Sequence, residues 1–167
     1  LDSEASVAML EEDAEALMAG DADATIRAVR MSIRLKSRIV HEDERESGRR
    51  MLLNLGHTVG HGLEAAKDYR GIRHGEGVAL GMIAAMRVAA RLGRGRPEET
   101  ERLTALLGRL GLPTDLDEQL NSRAIEFIGA DKKRRGDRIH FVIPRLPGET
   151  EVELLGLDEV RSALGTS

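Results

Sequence analysis

Three of the five histidines in this sequence fall close together: His57, His61 and His74. His57 and His61 are four apart, so on a helix their rings leave the same face one turn apart. That is the local geometry of a two-histidine metal chelate. The string is HTVGH, and a metalloprotease helix needs a glutamate directly after the first histidine as its general base. The missing glutamate weighs strongly against the protease reading. His74 opens HGEGVALGM, a loop-borne histidine followed by a glycine-rich helix start that can swing back towards His57. The chain has no cysteine, so a metal would have to be held by His, Asp or Glu. Glu64 and Glu76 are the carboxylates nearest in sequence. Spacing alone fits a zinc-like centre as well as a set of hydrogen-bonded core histidines.

A cationic set accompanies the histidines. Lys36, Arg50, Lys132 and Lys133 lie near apolar or loop–helix junctions. Arg50, Asn54, His57 and His61 follow i, i+4, i+7, i+11 spacing, one polar stripe if the helix is continuous. A guanidinium fork, an amide and two imidazoles suit an oxyanion, phosphate or carboxylate, beside a metal. Gly56, Gly60 and Gly62 strip side chains from the same turns. A mid-helix glycine costs about 1 kcal/mol relative to alanine, so several together point to close approach of another helix or a ligand.

These residues need helices to position them, and the periodicity supplies them. Ser3 to Met18 reads as a helix with Val7, Leu10, Ala14 and Leu17 on one face, stopped at Gly20. Asp21 or Asp23 caps a longer one, with Ile26, Val29, Ile33, Lys36 and Val40 roughly on one side. Lys36 within that stripe has a bland reading as a snorkelling side chain. His41 to Arg50 is a charged connector. A third helix is expected from about Met51 to Lys67, and a fourth from about Glu76 to Leu92, whose Ala, Met and Gly content suits a buried helix. Pro97 opens a fifth through Leu110, and one short helix follows to about Ile128. Arg138 to Ile143 alternates like a strand. Pro144 to Gly148 reads as a turn, Glu151 to Leu155 as the partner strand, and a last short helix begins near Asp158. The expected fold is mostly α, one helical domain over residues 1–167 with a small β-hairpin near the C-terminus.

Composition bounds the function. Aromatics are 2% of a chain that is 41% hydrophobic, so the core must be built from Leu, Ile, Val, Met and Ala. A net charge of −4 gives no electrostatic reason to expect nucleic acid. No apolar run approaches a transmembrane span and no signal pattern is visible, so no membrane partner and a cytoplasmic location are expected. The start at Leu1 suggests a fragment.

The strings KSRIVHEDERESGRRMLLNLGHTVGHGLE, HGEGVALGM, GLPT and DKKRRGDRIHFVIPRLPG, in this order and approximate spacing, resemble the 3-dehydroquinate synthases over nearly the whole chain. The pairing of the first two strings is the specific part. The resemblance implies conversion of 3-deoxy-D-arabino-heptulosonate 7-phosphate into 3-dehydroquinate and phosphate, on the shikimate route to aromatic amino acids. It implies NAD used catalytically and a divalent metal, usually zinc. By matched position, His57 and His74 would be metal ligands. His61 would assist proton transfer or bind phosphate. Lys36, Arg50, Asn54 and Lys132 would contact the sugar phosphate substrate, with Lys133 less firmly placed. The family is commonly homodimeric.

The family's third ligand, a glutamate in an AEVIK-like segment, has no match in this sequence, and neither does its glycine-rich NAD site. We therefore expect the C-terminal half of a two-domain enzyme whose partner is an N-terminal NAD-binding domain. Alone, the chain should be inactive and should bind zinc weakly. The alternatives are a lobe of a related sugar phosphate cyclase and a non-catalytic helical module that binds a metal or anion.

Overall fold

The computed structural model describes residues 3–43, 48–130 and 138–165. Ser3 caps α1 (Glu4–Met18), its side chain accepting from the Ser6 backbone N–H, and Gly20 at φ 75° ends that segment. Asp21, not Asp23, caps α2 (Ala22–Glu42), its carboxylate accepting from the Ala24 N–H at 2.8 Å. A 3-10 helix (Arg49–Asn54) leads to α3 (His57–Ala66) and α4 (His74–Arg91). Then come α5 (Pro97–Arg109), α6 (Leu116–Gln119), α7 (Ser122–Ala130), the antiparallel pair β1 (Arg138–Leu146) and β2 (Glu149–Gly156), and α8 (Leu157–Ala163). The mostly helical fold with one hairpin is as expected.

Helix α4 is the axis of the core. Its Leu80, Ile83, Ala84 and Val88 are fully buried against Val59 and Leu63 of α3, Leu103 and Leu107 of α5, Ile139 and Ile143 of β1, and Val160 of α8. The all-round burial fits its Ala-rich composition, because small side chains let neighbouring elements approach from every side. A second, smaller cluster of Val7, Ala14 and Leu106 joins α1 to α5. Among the described residues no helix is long and apolar enough to cross a membrane.

Several expectations are corrected. The third helix is not continuous from Met51: it is a 3-10 segment, a break at Leu55–Gly56, and then α3. The fourth begins at His74 rather than Glu76. The single short helix after α5 is two, α6 and α7. Pro144 lies inside β1, not in the turn, at the point where the strand register shifts; a proline without an N–H is tolerated at such an irregularity. The stripe on α2 faces outward, with Ile26, Val29 and Ile33 at 47%, 50% and 59% exposure, while Ala24 and Ile39 are that helix's buried residues. Periodicity identified residues sharing a face, but not whether anything covers it.

Candidate functional site

The break before α3 creates the site. Gly56 sits at φ 79°, a left-handed conformation that glycine adopts without a Cβ penalty. It separates the 3-10 segment from α3, so that His57 becomes the first residue of α3. His74 is likewise the first residue of α4. The two helices pack along a seam of glycines, with Gly81 against Gly56 and Gly60 against Gly77. A Cβ on Gly81 would lie 1.9 Å from the Gly56 carbonyl oxygen, and one on Gly60 would lie 2.8 Å from that of Gly77. Both contacts are to backbone, which cannot swing aside. Close packing of the two backbones brings the helix starts together.

His57, His61 and His74 therefore converge. Their ring centroids are 5.4 Å (His57–His61), 5.3 Å (His57–His74) and 5.8 Å (His61–His74) apart. One nitrogen from each ring lies within 4.8 Å of the other two. His57 is half-buried, and His61 and His74 are exposed, so the cluster opens outward. Two of the rings are oriented by the protein. His57 Nδ1 lies 3.2 Å from the Leu55 carbonyl, which can only accept, so this nitrogen donates and a neutral ring would present its lone pair at Nε2. His74 Nδ1 lies 2.8 Å from Oε1 of Glu64. Three imidazole nitrogens suit a zinc-class ion. Two nitrogens on one tetrahedral zinc are only about 3.4 Å apart, so small ring rotations would close the cluster on an ion. The positive N-terminal ends of α3 and α4 favour an anionic group beside it.

The remaining expected residues are less tightly gathered. The break at Gly56 separates Arg50 and Asn54 from His57 and His61, so the single polar stripe does not exist as one helix face. Arg50 is half-buried in the 3-10 segment and Asn54 is exposed at its end. The Asp43 carboxylate ties that segment to the end of α2, accepting from the backbone N–H groups of Gly48 at 2.8 Å and Arg50 at 3.0 Å. Lys36 is exposed on α2. Lys132 and Lys133 lie outside the described residues. Glu76 is taken up in capping α4, accepting from the Arg73 N–H at 2.8 Å, and Glu64 touches the histidine cluster only through its bond to His74 Nδ1.

Beside the histidines runs a cleft of about 600 Å³ lined by Leu35, Arg38, Ile39, Arg49, Leu52 and His57, among others. Arg38 and Arg49 were not singled out in the sequence, although Arg49 adjoins Arg50 and Arg38 lies two residues after Lys36. Arg49 is paired with Glu42 at 2.8 Å.

The family described as 3-dehydroquinate synthase C-terminal matches residues 1–134. A 3-dehydroquinate synthase of Rhizobium meliloti is 43% identical over 150 residues, 86% of this chain and 40% of that protein. That of Rhodospirillum rubrum is 44% identical over 152 residues, 87% of this chain and 40% of that protein. The chain thus spans about 40% of the length of these relatives. Among solved structures, a 2-epi-5-epi-valiolone synthase from Streptomyces hygroscopicus subsp. jinggangensis 5008, with NAD+ and Zn2+ bound, superposes with a TM-score of 0.78 at 21% identity. That superposition covers 99% of this chain and 47% of that one. A 2-deoxy-scyllo-inosose synthase, complexed with carbaglucose-6-phosphate, NAD+ and Co2+, gives 0.68 at 20% identity, over 82% of this chain and 39% of that one. These two likenesses show a shared fold. The family match over most of the chain, on the segments that carry the histidines, places the chain in the 3-dehydroquinate synthase C-terminal family.

Proposed function

We propose that this chain is the metal- and substrate-holding half of a 3-dehydroquinate synthase, which eliminates phosphate from 3-deoxy-D-arabino-heptulosonate 7-phosphate and closes the ring to 3-dehydroquinate. The observation that carries the proposal is the convergence of His57, His61 and His74 at the starts of two glycine-seamed helices. His57 and His74 would hold a divalent metal such as zinc, with a glutamate from the rest of the enzyme as a further ligand. When bound, the metal would supply Lewis-acid chemistry at a substrate hydroxyl, and NAD, held by an N-terminal domain of the same enzyme, would supply redox chemistry. His61, exposed and beside both ligands, moves a proton between substrate and solvent or holds the phosphate. The guanidinium fork of Arg50 binds an anionic end of the substrate. Asn54 orients hydroxyls or phosphate, and Lys36 and Lys132 reach the remaining charges. The whole enzyme works as a cytoplasmic homodimer.

A lobe acting on another sugar phosphate is the second reading. The 43–44% identity to the two synthases cited, against 20–21% to the two other cyclases, favours the first. Phosphate release from the heptulosonate phosphate, with NAD and zinc, tests the proposal. The full-length protein should release phosphate, a His61→Ala version should be slower by about 100-fold or more, and the 167-residue chain alone should release none. Turnover by the chain alone, or none by the full-length protein, would contradict it.

A further inference from the structure

Glu64 is the one charged side chain that is buried among the described residues, at 7% exposure. Burying a carboxylate is costly unless a partner compensates. Its bonding partner is the His74 ring, whose own side chain is 61% exposed. The pair is thus asymmetric: a carboxylate fixed inside the α3–α4 seam holds a ring that projects outward into the site. The space for it is built in. A Cβ on Gly77 would come within 3.2 Å of Glu64 Oε1 and 3.3 Å of its Cγ, so α4 has a glycine where the Glu64 side chain passes.

We propose that Glu64 is a positioning residue. By accepting from His74 Nδ1–H it fixes the tautomer and ring angle that present a bare Nε2 to the ion shared with His57. An ionised carboxylate is acceptor-only, so the proton must sit on Nδ1, and Nε2 is the nitrogen left with a lone pair. The Leu55 carbonyl does the same for His57. Ligands oriented in this way from behind lose about 10–100-fold in metal affinity when the orienting group is removed. The proposal rests on His57 and His74 being the metal ligands.

Two measurements on the full-length protein test it. In the metal-free protein, nitrogen NMR of labelled histidine should show neutral His74 protonated at Nδ1. Protonation at Nε2 would overturn the proposal without reference to any variant. Zinc affinity, measured by competition with a chromophoric chelator, should fall about 10–100-fold in Glu64→Leu. It should stay within a few-fold of wild type in Glu64→Gln, whose amide oxygen can still accept. A folded Glu64→Leu protein that binds zinc as tightly as wild type would overturn it. If His57→Ala leaves zinc affinity unchanged, the metal site itself fails and the proposal with it, and the tautomer result shows which assignment was at fault.

Discussion

The α3–α4 junction and the α1–α2 arm are held together by different forces. At the junction, two helix backbones meet through Gly56, Gly60, Gly77 and Gly81, and the buried residues Val59, Leu63, Leu80 and Ile83 surround the contact. The arm rests on the small cluster of Val7, Ala14 and Leu106 and on ion pairs. Arg102 of α5 donates to Glu4 at 2.6 Å and to Glu11 at 2.7 Å, and Arg27 pairs with Asp13 at 2.7 Å. One face of α2 is left exposed. The convergence of the three histidines is therefore built into backbone packing, whereas Lys36 is carried on α2, a helix that buries Ala24 and Ile39 and is tied to α1 by the Arg27–Asp13 ion pair.

Gly81→Ala should break the junction and give the largest effect. The added methyl would collide with the Gly56 carbonyl from 1.9 Å away, and overpacking against backbone costs about 3 kcal/mol or more. Chemical denaturation should show the loss of stability, and zinc binding should go with it. An alanine tolerated at this position would mean that the seam is looser than the glycines imply.

Acid should act on the arm before the junction. The Arg102 guanidinium, chiefly through its hydrogen bonds, holds the Glu4 and Glu11 carboxyls below the ordinary value of 4.5, and Arg27 does the same for Asp13 below 3.8. A carboxylate with a lowered folded-state pKa stabilises the fold above its unfolded value, and that stability is lost as pH falls through the folded value. Hydrogen exchange in α1 should therefore accelerate as pH drops below about 4.5, after correction for intrinsic rates, while α3 and α4 stay protected. Arg102→Ala should loosen α1 at neutral pH and remove most of this acid response. These pairs are only partly buried, so the effect should be smaller than that of Gly81→Ala and should weaken in salt.

The smallest effect should come from the outward stripe of α2. Ile33→Asp at a 59% exposed position should change the stability of the chain by no more than about 0.5 kcal/mol. Ile39→Asp, at 6% exposure on the same helix, should cost several times that by burying a charge. Equal costs would show that the stripe is covered within the chain.

The same contrast explains what could be read from sequence. The i, i+4 spacing was enough to pair His57 with His61, because that geometry is local, and the glycine-rich helix start after His74 indicated a return towards them without fixing it. The left-handed turn at Gly56 was not legible: a glycine permits that conformation but also occurs within helices, and its choice depends on the Val78 and Met82 backbone atoms 2.6 Å and 2.8 Å from where a Cβ would be. The outward face of α2 was not legible either, since periodicity groups Ile26, Val29 and Ile33 without showing what lies opposite. Glu64 was noted only as a carboxylate near in sequence. Its bond to His74 depends on how the chain from residue 67 to 73 returns α4 to α3, which no residue spacing specifies.

Zinc titration calorimetry on this chain, alongside His57→Ala, His74→Ala and His140→Ala versions, tests most directly whether His57 and His74 form one metal site. His140 is exposed on β1 and serves as the control. One weakly held zinc per chain, lost in the first two variants and unchanged in the third, is the predicted result. Zinc binding that survives both His57→Ala and His74→Ala, or that disappears with His140→Ala, would contradict the account.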